Sequence, residues 1–142
     1  MEFEQTSQNL SLEDLRDFET KINLTLPEDF KEHYLKSNGG YPPFEHVKGI
    51  NHLFTINGFI PIKYGTAPIE EMISDYKKSG ITFGQKIPFA FDNGDNIYLI
   101  SLDSENYGTI YLVESEFLNI KEKQYYKVSN NFTGFLASFY NE

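Results

Sequence analysis

The sequence predicts a single α+β domain in which a central, mainly antiparallel sheet is packed by about four helices. Apolar residues recur at helical spacing near both ends of the chain, while the middle contains short apolar runs separated by turn signals. The chain has 142 residues, of which 39% are hydrophobic and none is cysteine. A chain of this length buries roughly two-thirds of its unfolded surface and needs no disulfides to fold. We expect residues 11–142 to form the domain and residues 1–10 to be a polar N-terminal leader or an edge segment.

The first forty residues predict two helices. Ser11 and Asp14 have the spacing of a capping box, and the apolar residues that follow recur every three or four positions. These apolar residues are Leu12, Leu15, Phe18 and Ile22. Pro27 then opens a second helix, at the position where its missing N–H costs nothing. The segment Asn38-Gly39-Gly40 ends that helix, since glycine adopts the left-handed cap conformation without strain.

Two more helices are expected further along the chain. Thr66 caps the third helix, which ends at Gly80, and Ser129 or Asn130 caps the fourth. Apolar side chains mark the buried face of each helix: Ile69, Met72, Ile73 and Tyr76 in the third, and Phe132, Phe135, Leu136 and Phe139 in the fourth.

The strands are expected between the second and fourth helices. The clearest signal is Asp92-Asn93-Gly94-Asp95-Asn96, which places Asn-Gly between two apolar runs, as in a β-hairpin. A second turn, Asp103–Gly108, extends this hairpin into a three-stranded antiparallel meander. The expected strands are Val47–Ile50, His52–Ile60, Ile87–Phe91, Ile97–Leu102, Thr109–Val113 and one more within Lys121–Val128.

The charge of the chain narrows the classes of partner. Twelve Lys and Arg residues against 21 Asp and Glu give a formal net charge of −9. We therefore expect no nucleic-acid partner, because such binding depends on cations that neutralise phosphates. No apolar run approaches the roughly 20 residues of a membrane-spanning helix, and Met1–Gln5 is acidic where a signal peptide would be basic. We expect a cytoplasmic protein with no membrane partner.

The acidic excess lies in two segments. Residues 1–40 contain nine acids and four bases, and residues 81–118 contain six acids and one base, Lys86. Residues 41–80 are balanced at four of each. Charge asymmetry of this kind bears on the choice of partner and on the rate of association, whereas it says little about the fold.

No motif predicts catalysis or metal binding. His46 and His52 lie six positions apart beside Glu45, a spacing that fits neither helical nor strand ligand pairs, so we expect them to be solvated or packed. The hairpin turn does not form a calcium loop, because Ile97 stands where the loop needs Gly and Asp103 where it needs Glu. A catalytic carboxylate pair stays open as an alternative, since such a pair is defined by its separation in space. We expect a protein that is not an enzyme and that uses no metal or cofactor.

Four segments occur in an order that resembles the SUKH superfamily, which is named for fungal cell-wall-assembly regulators and has many bacterial relatives. The segments are Leu26–Phe30 (LPEDF), Asn38–Gly40 (NGG), Pro88–Asp92 (PFAFD) and Gly94–Leu99 (GDNIYL). The similarity covers roughly residues 12–140. It implies an α+β domain with no established catalytic residues. It also implies the role proposed for bacterial members, which are immunity proteins that neutralise toxins of contact-dependent and other polymorphic secretion systems, often nucleases.

The implied role offers an explanation for the acidic net charge. A nuclease toxin is basic where it holds nucleic acid, so an acidic inhibitor can occupy that cleft and associate rapidly. Exposed tyrosines beside carboxylates are typical of recognition surfaces, and the chain has 10 Tyr. The candidate contact residues are Asp92, Asp95, Asp103 and Glu105 in the hairpin turns, with Tyr41 and Glu45 in the loop after the second helix.

Three alternatives remain beside this interpretation. In the first, the candidate residues are solvated turn residues that only keep the protein soluble. In the second, the domain is a regulatory or scaffold module that binds an endogenous protein instead of a cognate toxin. In the third, it binds a small molecule in a carboxylate-lined pocket.

Overall fold

The computed structural model describes all residues, 1–142, and contains four α-helices and eight strands. The helices are α1 (Leu12–Ile22), α2 (Glu28–Lys36), α3 (Ile69–Lys78) and α4 (Phe132–Ala137). The strands are β1 (His46–Lys48), β2 (Leu53–Thr55), β3 (Gly58–Phe59), β4 (Lys86–Phe91), β5 (Ile97–Ser101), β6 (Ile110–Val113), β7 (Tyr126–Ser129) and β8 (Phe139–Tyr140). None of the helices has the length and apolar character that crossing a membrane requires.

The strands form two antiparallel sheets, which confirms the predicted α+β class. The larger sheet has the order β3-β4-β5-β6-β7, and the smaller one has the order β2-β1-β8. The predicted meander is the centre of the larger sheet, where Leu99 of β5 pairs with Pro88 of β4 and Tyr111 of β6. All five residues of β5 are buried, because both faces of this central strand are covered.

Residues alternate along β5 between two apolar clusters. Tyr98 and Ile100 face the larger cluster, which contains the rings of α2, α4 and β4. Ile97 and Leu99 face a smaller cluster on the other side of the sheet, together with Phe83. In the larger cluster the rings meet edge to face, an arrangement that aromatic pairs favour. Examples are Phe30 with Phe89 at 5.7 Å between ring centroids and Phe89 with Phe135 at 5.6 Å.

The predicted single strand over His52–Ile60 is wrong, because the chain changes sheets within it. Strand β2 pairs with β1 in the smaller sheet, whereas β3 pairs with β4 in the larger sheet. The change occurs where the N–H of Ile56 donates to the carbonyl of Glu45 and the next N–H, of Asn57, donates to that of Phe91. The short strand β8 was not predicted. Two residues are too few to show the alternation by which a strand is recognised.

The start of α1 agrees with the sequence prediction. At α1 the capping box is complete: the N–H of Asp14 donates to Ser11 Oγ at 3.1 Å, and the N–H of Ser11 donates to Asp14 Oδ2 at 2.9 Å. The predicted Thr66 cap is wrong, since α3 starts after Pro68. Proline disfavours the helical conformation in the residue before it, so the helix cannot extend back to Thr66.

The fourth helix is also shorter and later than predicted. Its cap is Asn131, whose Oδ1 accepts a hydrogen bond from the N–H of Gly134 at 2.7 Å, and not Ser129 or Asn130. The helix ends at Ala137, so Phe139, predicted on its buried face, lies in β8 instead. Phe139 is nevertheless buried in the larger cluster.

The N-terminal residues lie along the domain. Glu4 and Tyr41 exchange two backbone hydrogen bonds of 2.9 Å, which adds a bridge beside the edge of the larger sheet. The ring of Phe3 packs at 4.8 Å from His33 and 4.9 Å from Phe59, between ring centroids, and Leu10 is buried. Phe3, Glu4 and Leu10 thus all contact later parts of the chain.

Candidate functional site

The turn between β4 and β5 is organised by a carboxylate. Asp92 is only 8% exposed, and its Oδ1 accepts hydrogen bonds of 2.9 Å from the N–H groups of Gly94 and Asn96. Its Oδ2 accepts a third hydrogen bond, of 3.0 Å, from Asn96 Nδ2. The residue with the left-handed backbone is Asp95, at φ 61°, and not the glycine. The carboxylate of Asp92 is thus committed to holding the turn, while Asp95 is exposed at its tip.

Asp95 lies in a groove together with Tyr41. This groove, which we call the Tyr41–Asp95 groove, has a volume of about 670 Å3. Its apolar part comes from α3 and the larger sheet, chiefly Met72, Tyr76 and Phe91. Asp95 is the one charged side chain among its lining residues. The structure therefore brings together two of the six candidate residues, which lie more than fifty positions apart in the sequence.

Tyr41 has a fixed support in the groove. Its side chain is 41% exposed, and its ring rests on Gly58 beside the ring of Phe91. A Cβ atom at Gly58 would lie 2.9 Å from both rings, closer than packed carbons approach. Glycine at this position thus allows the Tyr41 ring to lie flat against the sheet edge.

Helix α3 adds further acidic groups beside the groove. Glu71 and Asp75 are exposed and lie one turn apart on the helix, next to Met72 and Tyr76, which line the groove. Burial raises the pKa of Tyr76, and the negative charge of Asp95 raises it further. The phenol stays neutral at physiological pH, so the groove has negative charge at its rim and uncharged rings below it.

The other candidate residues lie elsewhere. Glu45 is exposed just before β1, where its N–H donates to Asn141 Oδ1 at 3.0 Å. Asp103 and Glu105 lie in the turn after β5, at the opposite end of that strand from Asp95. Eight residues of extended chain span about 26 Å, so these two carboxylates lie well outside the groove that Asp95 lines.

The turn that contains Asp103 and Glu105 meets the N-terminal helices. Tyr107 Oη donates to the carbonyl of Thr25 at 2.7 Å, which ties the turn to the connection between α1 and α2. Burial raises the pKa of Tyr107, and the carboxylates of Glu19 and Glu28 raise it further. The two acidic segments of the sequence therefore approach each other here, a contact over 82 positions that no local pattern indicates.

The carboxylates near Tyr107 already form hydrogen bonds or ion pairs within the protein. Glu19 accepts a hydrogen bond from the N–H of Leu26 at 2.8 Å, and Glu28 lies 3.0 Å from the ammonium group of Lys31. Asp29 accepts hydrogen bonds from the N–H and Oγ1 of Thr133 at 3.0 and 2.9 Å. These bonds hold α1, α2 and α4 together, so this cluster serves the fold directly.

The three histidines are placed separately, each against aromatic rings. His33 packs among Phe3, Phe59 and Phe132, whereas His46 stacks on Tyr140 with 5.2 Å between ring centroids. His52 lies 6.0 Å from the ring of Tyr126. The structure contains no group of three or more His, Asp or Glu side chains placed to hold a metal ion.

Comparison with known protein families identifies the family of the chain. The model of the SMI1/KNR4 family (SUKH-1) matches residues 9–138 of the chain, which confirms the resemblance indicated by the four sequence segments. This family is generally one of non-catalytic, protein-binding domains. No curated protein sequence matches the chain.

Proposed function

Since the chain belongs to the SMI1/KNR4 family (SUKH-1), we propose that it is a non-catalytic immunity protein that binds and neutralises a cognate toxin in the cytoplasm. The Tyr41–Asp95 groove is the proposed binding surface. The observation that carries this choice is an exposed aromatic ring and an exposed carboxylate that line the same largely apolar groove.

The charge of the groove supports a basic partner. The chain has a net charge of −9, and Asp95 is the charged residue that lines the groove. The exposed acids Glu71 and Asp75 lie next to its α3 residues, and Lys77 is adjacent to Tyr76. A basic protein surface would be attracted to this side of the molecule and would associate faster at low salt. A nuclease toxin has such a surface where it binds phosphates.

The rigidity of the groove supports tight binding. Tyrosine is among the residues that contribute most to protein interfaces, because it buries a large ring while its hydroxyl still forms hydrogen bonds. The Tyr41 ring packs against Gly58, and the turn that contains Asp95 is held by the three hydrogen bonds from Gly94 and Asn96 to the carboxylate of Asp92. A surface that is already ordered loses little conformational entropy on binding.

The same groove would serve the regulatory alternative, in which the partner is an endogenous protein. The identity of the neighbouring gene distinguishes the two functions, because an immunity protein is encoded beside the gene for its toxin. Co-expression of that toxin with this chain then tests the proposal: the wild-type chain should restore growth.

Two variants test the groove in this assay. Asp95→Asn removes the charge but keeps a residue that tolerates left-handed backbone, and Tyr41→Ala removes the ring. Both should protect cells less than the wild type. The matched control is Glu105→Gln, which removes one exposed acid from the other turn and should protect fully. Full protection by both groove variants would contradict the proposed surface, and failure of the wild type to protect would contradict the immunity function.

A further inference from the structure

A second groove lies beside the first and has the opposite charge. It has a volume of about 440 Å3 and shares Tyr76 with the Tyr41–Asp95 groove. Three lysines line it, Lys21 from α1, Lys77 from α3 and Lys86 from β4, against one acid, Glu70. We call it the lysine groove. A concentration of cations in a chain of net charge −9 is unexpected from composition alone.

The lysines of this groove have no acidic partner within the protein. The ion pairs of the chain involve only Lys31 and Lys63, so the ammonium groups of Lys21, Lys77 and Lys86 have no carboxylate within 4.0 Å. Glu70 forms no ion pair with these lysines, and both of its carboxylate oxygens accept hydrogen bonds from the N–H of Lys63 at 3.0 and 3.1 Å. Three like charges from three separate elements are thus held around one groove.

One of these cations is fixed in position by aromatic rings. The ammonium group of Lys86 lies 4.4 Å from the ring centroid of Tyr125 and 5.6 Å from that of Tyr111. This contact stabilises the charge without neutralising it, because the rings contribute only a quadrupole. The positive charge of Lys86 is therefore not neutralised within the protein.

The rest of the groove is apolar, with hydrogen-bond donors at one side. Ile73, Ile81 and Phe83 contribute apolar surface. In the loop before β4, the N–H groups of Thr82 and Gly84 donate to no acceptor in the protein. Gly84 adopts φ 64°, and no atom lies within 4 Å of the place where a Cβ would project, so a ligand can approach the backbone there. Sites for small ligands have volumes of about 300–1,000 Å3 and combine apolar walls with a few polar groups in this way.

We propose that the lysine groove binds a small organic anion, with a carboxylate or phosphate group among the lysines and an apolar body against Ile73, Ile81 and Phe83. The charge of the ligand follows from the unpaired lysines, and its size follows from the volume. This site is independent of the proposed immunity function, since only Tyr76 belongs to both grooves. It also differs from the carboxylate-lined pocket that the sequence left open, because its charge is opposite.

The test is a titration of the 15N-labelled protein, followed by NMR, with three probes of the same shape. The probes are 1-naphthoate, 1-naphthyl phosphate and the cation 1-naphthylmethylammonium. The two anions should shift the amides of residues 81–86 saturably, and the cation should not. The anion that binds more tightly identifies the carboxylate or the phosphate as the preferred group.

Substitution of the lysines tests their contribution to anion binding. Lys77→Gln should weaken binding of the better anion about fivefold, because one unit charge about 4 Å away in water contributes an interaction of that size. The double variant Lys21→Gln/Lys77→Gln should weaken it about 25-fold on the same basis. The matched control is Lys78→Gln, which removes the neighbouring exposed charge on α3 that does not line the groove and should leave the affinity unchanged.

Several results would overturn the proposal. They are the absence of saturable shifts in residues 81–86, shifts confined to the Tyr41–Asp95 groove, equal binding of the cation, or equal weakening by Lys77→Gln and Lys78→Gln. Binding of an acidic peptide at these amides, with no binding of either naphthyl anion, would also overturn it in favour of a protein ligand. Both single variants replace exposed lysines, so their amide spectra should show the native fold.

Discussion

A buried histidine should make the stability of this protein depend on pH. The ring of His33 lies among Phe3, Phe59 and Phe132 at centroid distances of 4.8–5.4 Å, and its Nε2 is buried without a hydrogen-bond partner. Burial, together with the positive charge of Lys36, lowers the pKa of His33 from 6.5 to about 4. The folded protein therefore resists protonation that the unfolded chain accepts.

The sign and size of the effect follow from this difference in pKa. Above pH 6.5 the histidine is neutral in both states, so the free energy of unfolding has its full value. As the pH falls from 6.5 towards 4, only the unfolded chain binds the proton and the protein loses stability. At pH 5 the loss is about 2 kcal/mol, and it levels off at about 3 kcal/mol below pH 4, both as upper values because the ring is partly exposed.

Urea unfolding at pH 8 and pH 5 measures this loss when wild type and His33→Leu are compared. The variant should lose about 2 kcal/mol less than the wild type between the two pH values, with the same dependence on urea. At pH 8 it should be at least as stable, since the unpaired nitrogen is gone. His52→Leu, at an exposed histidine, is the control and should keep the wild-type pH dependence. Equal losses in wild type and His33→Leu would refute the reasoning.

Three other substitutions test the local structure by urea unfolding. Asp92→Ala should lower the free energy of unfolding by about 2–3 kcal/mol, because three hydrogen bonds to a carboxylate are lost. An unchanged free energy of unfolding would contradict the role of Asp92 in the turn. Gly58→Ala should lower the free energy of unfolding by about 1–3 kcal/mol and shift the NMR signals of the Tyr41 ring, because the new Cβ would lie 2.9 Å from that ring. Unchanged ring signals would contradict the packing of Tyr41 on Gly58. The ammonium group of Lys63 lowers the pKa of Asp14, so this pair should lose its stabilisation as the pH falls below the ordinary value of 3.8. Lys63→Met should reduce that acid-dependent loss and leave the part that comes from the hydrogen bond of the Ser11 N–H to Asp14. An unchanged pH dependence would show that the ion pair contributes nothing.

The sequence predicted the structure best where one short segment contains the whole signal. The capping box of Ser11 and Asp14 and the hairpin around Asn93-Gly94 are both formed by residues within five positions of one another. Even there, the left-handed residue is Asp95 and not Gly94, because the side chain of Asp92 binds two backbone N–H groups and thereby sets the turn.

Features that depend on distant residues could not be predicted from local patterns. The exchange of sheets between β2 and β3 is determined by pairing with β1 and β4, which are far apart in the chain. The same reason explains the grooves. Tyr41 and Asp95 are two of the six residues predicted for one contact surface, and that these two meet while the others do not depends on the edge of the larger sheet and the position of α3.

The lysine groove shows this limit most clearly. In the sequence, Lys21, Lys77 and Lys86 are isolated cations, each in a segment with more acids or with balanced charge. Only the packing of α1, α3 and β4 brings them to one apolar groove. A count of charges along the chain, which pointed to a basic partner, therefore says nothing about this second surface.

The most direct test of the proposed function is to measure, by titration calorimetry, the affinity of this protein for the purified toxin domain that is encoded beside its gene. Tyr41→Ala should raise the dissociation constant about 30-fold and Asp95→Asn about tenfold, as expected for a central aromatic contact and a charged contact. Glu105→Gln should leave it unchanged, and added salt should weaken the wild-type complex. Equal affinities for the wild type and both groove variants would contradict the account, because the toxin would then bind elsewhere on the protein.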